Sequence, residues 1–153
     1  MKIFVGADHR GVQLKAEMIR LLETLGHVVV DVGAYCDQEP CDYPPIAFEV
    51  ARNVSKTRGS RGILVCMSGV GLAIAANKVP GAYAALCYNK EIAKLSREHN
   101  NSNILVLGAK FVSKEELQEI IKIWLSTEFG GGRHLRRFKK IKMIERTTMK
   151  KDF

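Results

Sequence analysis

Between Ile63 and Asn77 the chain reads ILVCMSGVGLAIAAN, where the residues able to do chemistry are Cys66 and Ser68, followed at once by Gly69 and Gly71. A thiol becomes a usable base when backbone N–H dipoles and a helix N-terminus lower its pKa. Cys66 stands directly before a glycine-containing turn that opens a helical pattern, so a lowered pKa is expected there. The same turn, Met67 through Gly69 and Val70 to Gly71, offers N–H donors, and Ser68 adds a hydroxyl. Such donors stabilise the charge that grows on a carbonyl oxygen when a neighbouring carbon loses its proton. A histidine within reach would move protons between oxygens. Asp8 and His9 follow the first apolar run, and His99 and Asn100 close a later helical stretch. Arg133 and Arg137, four apart, share one helix face and can jointly clamp a phosphate.

Competing readings of these residues meet specific obstacles. No G-x-x-x-x-G-K-[ST] loop occurs. In the dinucleotide pattern the third small residue would fall on Ile74, and the acid about 20 residues on is Glu91, already inside the next helical stretch. A cysteine-dependent phosphatase needs an arginine shortly after its thiol, and residues 67–77 contain none. The four cysteines, Cys36, Cys41, Cys66 and Cys87, form no C-x-x-C pair, which argues against a zinc site.

The elements that must hold these groups alternate regularly. Apolar runs predict strands over Lys2–Gly6, Val28–Val30, Ile63–Val65, Ala82–Cys87 and Ile104–Gly108. Helical spacing of Leu14, Met18, Leu21, Leu22 and Leu25 follows the first, with Gly26 closing that helix. Pro44-Pro45 opens a second helix, and Asn89 to Glu98 forms another, with His99-Asn100-Asn101 at its end. Ser113-x-x-Glu116 is a capping box ahead of a helix to about Leu125, and a last helix begins near Arg133 with Leu135, Phe138, Ile141 and Ile144 on one stripe. Strands each followed by a helix predict an α/β fold, a Rossmann-like doubly wound five-stranded parallel sheet in an α/β/α sandwich. Ligands of such sheets lie outside the carboxyl ends of the strands. All three polar clusters, around Asp8, Cys66 and His99, are expected on or near that edge.

A length of 153 residues suits one domain, 1–153, with about 133–153 forming a basic C-terminal helix and tail. Of the 24 Lys/Arg, nine lie in residues 133–153, against two of the 16 Asp/Glu, so nearly all of the +8 net charge is there. Lys139, Lys140, Lys142, Arg146, Lys150 and Lys151 would suit nucleic acid, but Phe138 lies on the apolar stripe, which leaves base stacking without support. No apolar run approaches the ~18 residues of a membrane span, and Asp8 interrupts the N-terminal run too early for a signal peptide, so a cytoplasmic location without membrane or nucleic-acid partners is expected.

Five motifs in order, across nearly the whole chain, resemble the type B ribose-5-phosphate isomerases and their relatives acting on galactose 6-phosphate and allose 6-phosphate. They are Gly6-Ala7-Asp8-His9-x-Gly11, Asp42-Tyr43-Pro44, Cys66-x-Ser68-Gly69-x-Gly71 with Ala75-Ala76-Asn77-Lys78, Glu98-His99-Asn100, and Gly131-Gly132-Arg133-His134-x-x-Arg137. The resemblance implies interconversion of ribose 5-phosphate and ribulose 5-phosphate through an enediolate. Cys66 would be the base, Ser68 and the turn Met67–Gly71 would stabilise the enediolate, and His99 would open the sugar ring with Asn100 holding hydroxyls. Asp8 and His9 would bind substrate, Arg133 and Arg137 its phosphate. It further implies no metal or organic cofactor, a homodimer or homotetramer with active sites shared between subunits, and a last helix packed on a partner. The family usually has glycine where Met67 stands, arginine where Lys110 stands, and arginine where Tyr83 stands. Lys110 could still meet a phosphate as a point charge. These departures bear on substrate choice, with an isomerase of a six-carbon phosphosugar as the alternative, and a non-catalytic phosphosugar- or nucleic-acid-binding module as a third. Retention of Cys66 favours the pentose branch.

Overall fold

The computed structural model describes residues 1–35 and 37–149; Cys36, Lys150 and Lys151, named above, lie outside the described residues. Among the described residues the elements follow one another as β1 (Lys2–Ala7), α1 (Val12–Thr24), β2 (Val28–Gly33), α2 (Tyr43–Lys56), β3 (Arg61–Cys66), α3 (Val70–Ala76), β4 (Ala84–Leu86), α4 (Lys90–Asn100), β5 (Ile104–Gly108), α5 (Lys114–Ser126) and α6 (Gly132–Thr148). The five strands form one parallel sheet in the order β2-β1-β3-β5-β4. The fold is the α/β, Rossmann-like sheet expected from the apolar runs.

Burial on both faces explains why the strands read as apolar runs. Side chains alternate across the sheet, so Ile3, Val5, Ile63, Val65, Leu105 and Leu107 pack with Met18, Leu22, Ile120 and Trp124 of α1 and α5. Phe4, Leu64, Cys66, Ile104 and Val106 turn to the other face and meet Val50 and Val54 of α2 and Leu72 and Ala76 of α3. Cys66 therefore ends its strand on the α2/α3 side.

Local signals set several boundaries. Gly26 and His27 close α1 by donating N–H groups to the Glu23 and Leu22 carbonyls at 2.9 and 3.1 Å. Asn89 caps α4 by accepting the Ile92 N–H at 2.9 Å, and Ser113 with Glu116 forms the expected capping box on α5. A buried Lys15 ties α1 to the β2 end, with Nζ 2.6 Å from both Asp31 Oδ1 and the Ala34 carbonyl. At the far edge β4 is shorter than the expected Ala82–Cys87. Ala82 turns back to the Val79 carbonyl, and Tyr83 exchanges bonds with Asn103, before pairing with β5 begins at Ala84. The Asn77 amide then bonds both backbone groups of Ala84, donating to its carbonyl and accepting its N–H, each at 2.9 Å.

The chain leaves β1 for β2 on one side and returns to β3 on the other, so a crevice opens between the carboxyl ends of β1 and β3. Ala7 is registered against Val65 there, which sets Asp8 beside Cys66. Beyond β3, the chain builds β4 at the edge and then inserts β5 between them, aligning Cys66 with Gly108.

Candidate active site

The carboxyl edge gathers Asp8, His9, Cys66, the turn Met67–Gly71 and Lys110. Asp8 is buried, and its Oδ1 accepts the N–H groups of Arg10 and Gly11 at 3.0 and 3.1 Å, which fixes the loop after β1. His9 Nδ1 accepts the Cys41 N–H at 3.2 Å, fastening that loop to the segment before α2. Gly69 adopts φ +83°, a left-handed conformation open to glycine, and delivers its N–H to Cys66 Sγ at 3.1 Å. A Cβ on Gly69 would come within 2.4 Å of Leu86 Cδ1, and one on Gly71 within 2.5 Å of the Tyr43 ring, so neighbours press on the turn from both sides. The loop after β5 braces it from beneath: Ala109 and Lys110 donate N–H groups to the Cys66 and Met67 carbonyls at 2.8 and 3.1 Å. The Ser68 Oγ accepts the Val70 N–H at 3.4 Å.

The electrostatics of Cys66 depart from expectation. Burial pushes its thiol up, and the neighbouring Asp8 carboxylate adds to that rise; the N–H groups of Gly69, Ser68 and Leu72 pull it down without prevailing. The expected lowering fails because Cys66 is buried and has the Asp8 carboxylate beside it. The hydrogen bonds poise the thiolate in place without making it the resting form.

The second cluster lies elsewhere. Helix α4 runs back against the strands, so its last turn sits where they begin: Ser102 returns an N–H to Ser96, and Asn103 accepts the Gly62 N–H at the start of β3. His99 and Asn100 are thus at the amino edge, separated from Cys66 by the length of β5, about 13 Å at the usual strand rise. There α6 crosses α4, and the His134 ring stacks on His99 with centroids 4.1 Å apart and planes within 6°. His99, Asn100, His134 and Arg137 line a cavity of about 160 Å³ with Phe138 and Ile141. Burial first, then the neighbouring His99, Arg133 and Arg137, lowers the His134 pKa. Arg133 is solvent-exposed beside it, its Nε 3.5 Å from His134 Nε2.

The expectation that all three clusters share one edge is therefore corrected: one chain brings Asp8, His9, Cys66, Met67, Ser68, Gly69, Val70, Gly71 and Lys110 together, and separately His99, Asn100, Arg133 and Arg137. Met67 does not fold into the turn; it is exposed, and its sulfur takes the Arg10 Nη1 at 3.3 Å. Tyr83 belongs to the amino-edge half, its ring edge-on to Phe138 at 4.8 Å. Its hydroxyl is buried without a partner among the described residues, and burial first, then the Glu145 carboxylate, raises its pKa. Sequence reasoning gave no role to Tyr43, Arg10 or His134. Arg10 makes its contact across a long stretch of chain, whereas Tyr43 had a signal in the Asp42-Tyr43-Pro44 motif and His134 in lying next to an arginine expected to bind phosphate. Among the described residues no group of three or more His, Cys, Asp or Glu could hold a metal ion, and no helix is long and apolar enough to cross a membrane.

Comparison with known proteins places this geometry among sugar-phosphate enzymes. The model of the family described as Ribose/Galactose Isomerase matches residues 3–141. A putative sugar phosphate isomerase of Bacillus subtilis, YwlF, is 43% identical over 95% of this chain and 97% of that protein. Ribose-5-phosphate isomerase B of Escherichia coli is 41% identical over 94% and 96%. Among solved structures, ribose-5-phosphate isomerase B of Clostridium thermocellum superposes with a TM-score of 0.93 at 44% identity, covering 96% of this chain and 99% of that one. The Mycoplasma genitalium enzyme, solved with bound ribulose-5-phosphate, gives 0.93 at 42% identity, covering 96% and 97%.

Proposed function

The chain belongs to the Ribose/Galactose Isomerase family, and on that footing we propose that it interconverts D-ribose 5-phosphate and D-ribulose 5-phosphate through an enediolate, as a cytoplasmic enzyme of pentose phosphate metabolism. The single observation that carries the mechanism is the Cys66 sulfur held by the Gly69 N–H at 3.1 Å on a braced turn. Cys66 as thiolate takes the proton from C2 of the open-chain aldose and returns it at C1, while the proton of the C2 hydroxyl passes to the oxygen on C1. The remaining N–H groups of Met67–Gly71 and the Ser68 hydroxyl meet the enediolate oxygens. Asp8, with Oδ1 engaged by its own loop, offers Oδ2 to a sugar hydroxyl, and His9 and Lys110 flank it. His99 opens the furanose ring, Asn100 orients hydroxyls, and Arg133 and Arg137 take the phosphate.

These two groups complete one another only if the amino edge of a second copy meets the carboxyl edge of the first. Our reading is a homodimer with two shared sites, in which each whole chain acts as one domain, and two dimers can pair into a tetramer. Exposed Val70 and Ile74 on α3, and Leu135 and Ile141 on α6, supply apolar surface beside each half. The basic α6 then serves the substrate phosphate instead of nucleic acid.

A coupled isomerase assay on ribose 5-phosphate without added metal tests the activity. Cys66→Ala is expected to lose at least about 100-fold in turnover while still binding phosphosugar; undiminished turnover sinks the mechanism. A six-carbon substrate is the second reading, resting on Met67 and Lys110 where the family resemblance implies glycine and arginine. The ratio of kcat/KM on ribose 5-phosphate and allose 6-phosphate decides between them.

A further inference from the structure

A cleft of about 640 Å³ lies at the amino edge, lined by Arg58, Arg61, Arg97 and Lys142 together with Ser55, Thr57, Asn101 and Asn103. It shares no lining residue with the cavity at His99. Arg97 and His99 stand two apart on α4, which sends them to different faces of that helix.

Two guanidinium groups line the cleft, that of Arg97 buried and that of Arg61 half-buried. Arg97 is buried; its Nη1 donates to Asn101 Oδ1 at 3.0 Å and to the Ser102 carbonyl, and its Nε to the Thr127 carbonyl at 3.4 Å. Arg61 donates through Nη1 to the Trp124 and Leu125 carbonyls, both at 2.9 Å, with its guanidinium 5.0 Å from the Trp124 ring. These bonds tie down the ends of α4 and α5 through Nη1 of Arg61 and through Nη1 and Nε of Arg97. Among the described residues Nη2 of both arginines has no partner. The two cations also repel each other: burial first, then the charge of Arg97, pushes the Arg61 pKa down to about 10, while Glu128 opposes the shift.

Among the described residues no carboxylate lines the cleft. Glu128 lies within electrostatic reach of both guanidiniums, and Glu145 is engaged by the Gly81 N–H at 2.8 Å. The cationic side chains outnumber the two adjacent carboxylates, which suits a phosphomonoester dianion. The volume is within the usual range of small-molecule sites, about 300–1,000 Å³. Guanidinium forks match phosphate geometry, and Arg58 and Lys142 at the exposed rim supply mobile charge.

We propose that this amino-edge cleft is a second anion site, which takes a phosphate-bearing small molecule of mononucleotide or sugar-phosphate size on Arg61 and Arg97, with Arg58 and Lys142 closing over it. It is separate from the substrate phosphate clamp and does not depend on the isomerase reading. Bound ligand neutralises the repelling pair and so holds the ends of α4 and α5 together.

Calorimetric titration with AMP, inorganic phosphate and adenosine tests it on the whole protein. AMP is expected to bind, with affinity falling at least about tenfold in Arg58→Glu and again in Lys142→Glu. The same affinity should persist within about twofold in Arg137→Ala, and Arg58→Glu should keep wild-type isomerase turnover within about twofold. Phosphate binding as tightly as AMP identifies free phosphate as the ligand; AMP binding more tightly identifies a phosphoester. Absence of binding by both, equal binding of adenosine, or loss in Arg137→Ala but not Arg58→Glu overturns the proposal. Much tighter binding of single-stranded RNA than of AMP overturns it as well, since the surface would then be a nucleic-acid face.

Discussion

Replacing Gly69 with alanine tests the turn that holds Cys66. At φ +83° an L-residue pays about 1–2 kcal/mol in backbone strain. Its Cβ would stand 2.4 Å from Leu86 Cδ1 and 3.2 Å from the Leu107 carbonyl carbon and oxygen. The leucine side chain can swing aside, but the β5 backbone is fixed by its pairing with β3, so overpacking adds about 1–3 kcal/mol. A total of about 2–5 kcal/mol corresponds to a fall in Tm of roughly 4–20 °C for a domain of this size. The same shift moves the N–H that sits 3.1 Å from the sulfur. A hydrogen bond to a charged acceptor contributes about 1.5–3 kcal/mol, so the alkaline rise of kcat/KM should move up by about one to two pH units. Calorimetry and a pH–rate profile read the two effects separately. An unchanged Tm refutes the constraint on the turn; a lowered Tm with an unmoved profile refutes the poising of the thiol by Gly69.

Because burial and then Asp8 hold the Cys66 pKa up, alkylation of Cys66 by iodoacetamide should accelerate with pH through and above neutrality. In Asp8→Asn the acceleration should begin at lower pH, and identical profiles would show that the two groups do not sense one another. Asp31→Ala strands the buried Lys15 ammonium; with Asp31 one-third exposed, the loss should be about 2–3 kcal/mol in urea unfolding, and a change under ~0.5 kcal/mol contradicts the pairing. Glu116 is held below the usual carboxylate range by the Ser113 backbone and side chain. Its stabilisation is therefore present above its unfolded pKa and lost as pH falls through the lower folded value. The Tm gap between wild type and Glu116→Gln should close between pH ~7 and ~3, and a constant gap means the cap is not ionic.

Strand identity was legible because each strand is buried on both faces, as Ile63-Leu64-Val65 and Ile104–Leu107 illustrate. Strand order was not, because nothing in the β5 residues records that they enter between β3 and β4. The clusters at Asp8 and Cys66 were legible as neighbours, since both end strands flanking the crevice. His99 was misplaced for a directional reason: a residue at the end of a crossover helix returns to the edge from which the strands start. The apolar stripe of α6 was read correctly as periodic, yet only Phe138 is buried, with Leu135, Ile141 and Ile144 left exposed. Periodicity reports which face is apolar, not which molecule covers it. The sign of the Cys66 shift was missed because dipoles can be inferred from a turn motif, whereas the depth of a sulfur and its distance from Asp8 require coordinates.

The Asn77 amide on β4 has a consequence for how copies of this chain can grow into assemblies. An edge strand is a template on which a further strand can crystallise, and three residues of β4 would expose such a template. By presenting one donor and one acceptor to Ala84, a side chain counterfeits the next strand and ends the ladder there. A strand arriving at β4 would find the Ala84 groups already taken, which disfavours sheet continuation at that point. A single carboxamide thus covers the sheet's margin at Ala84.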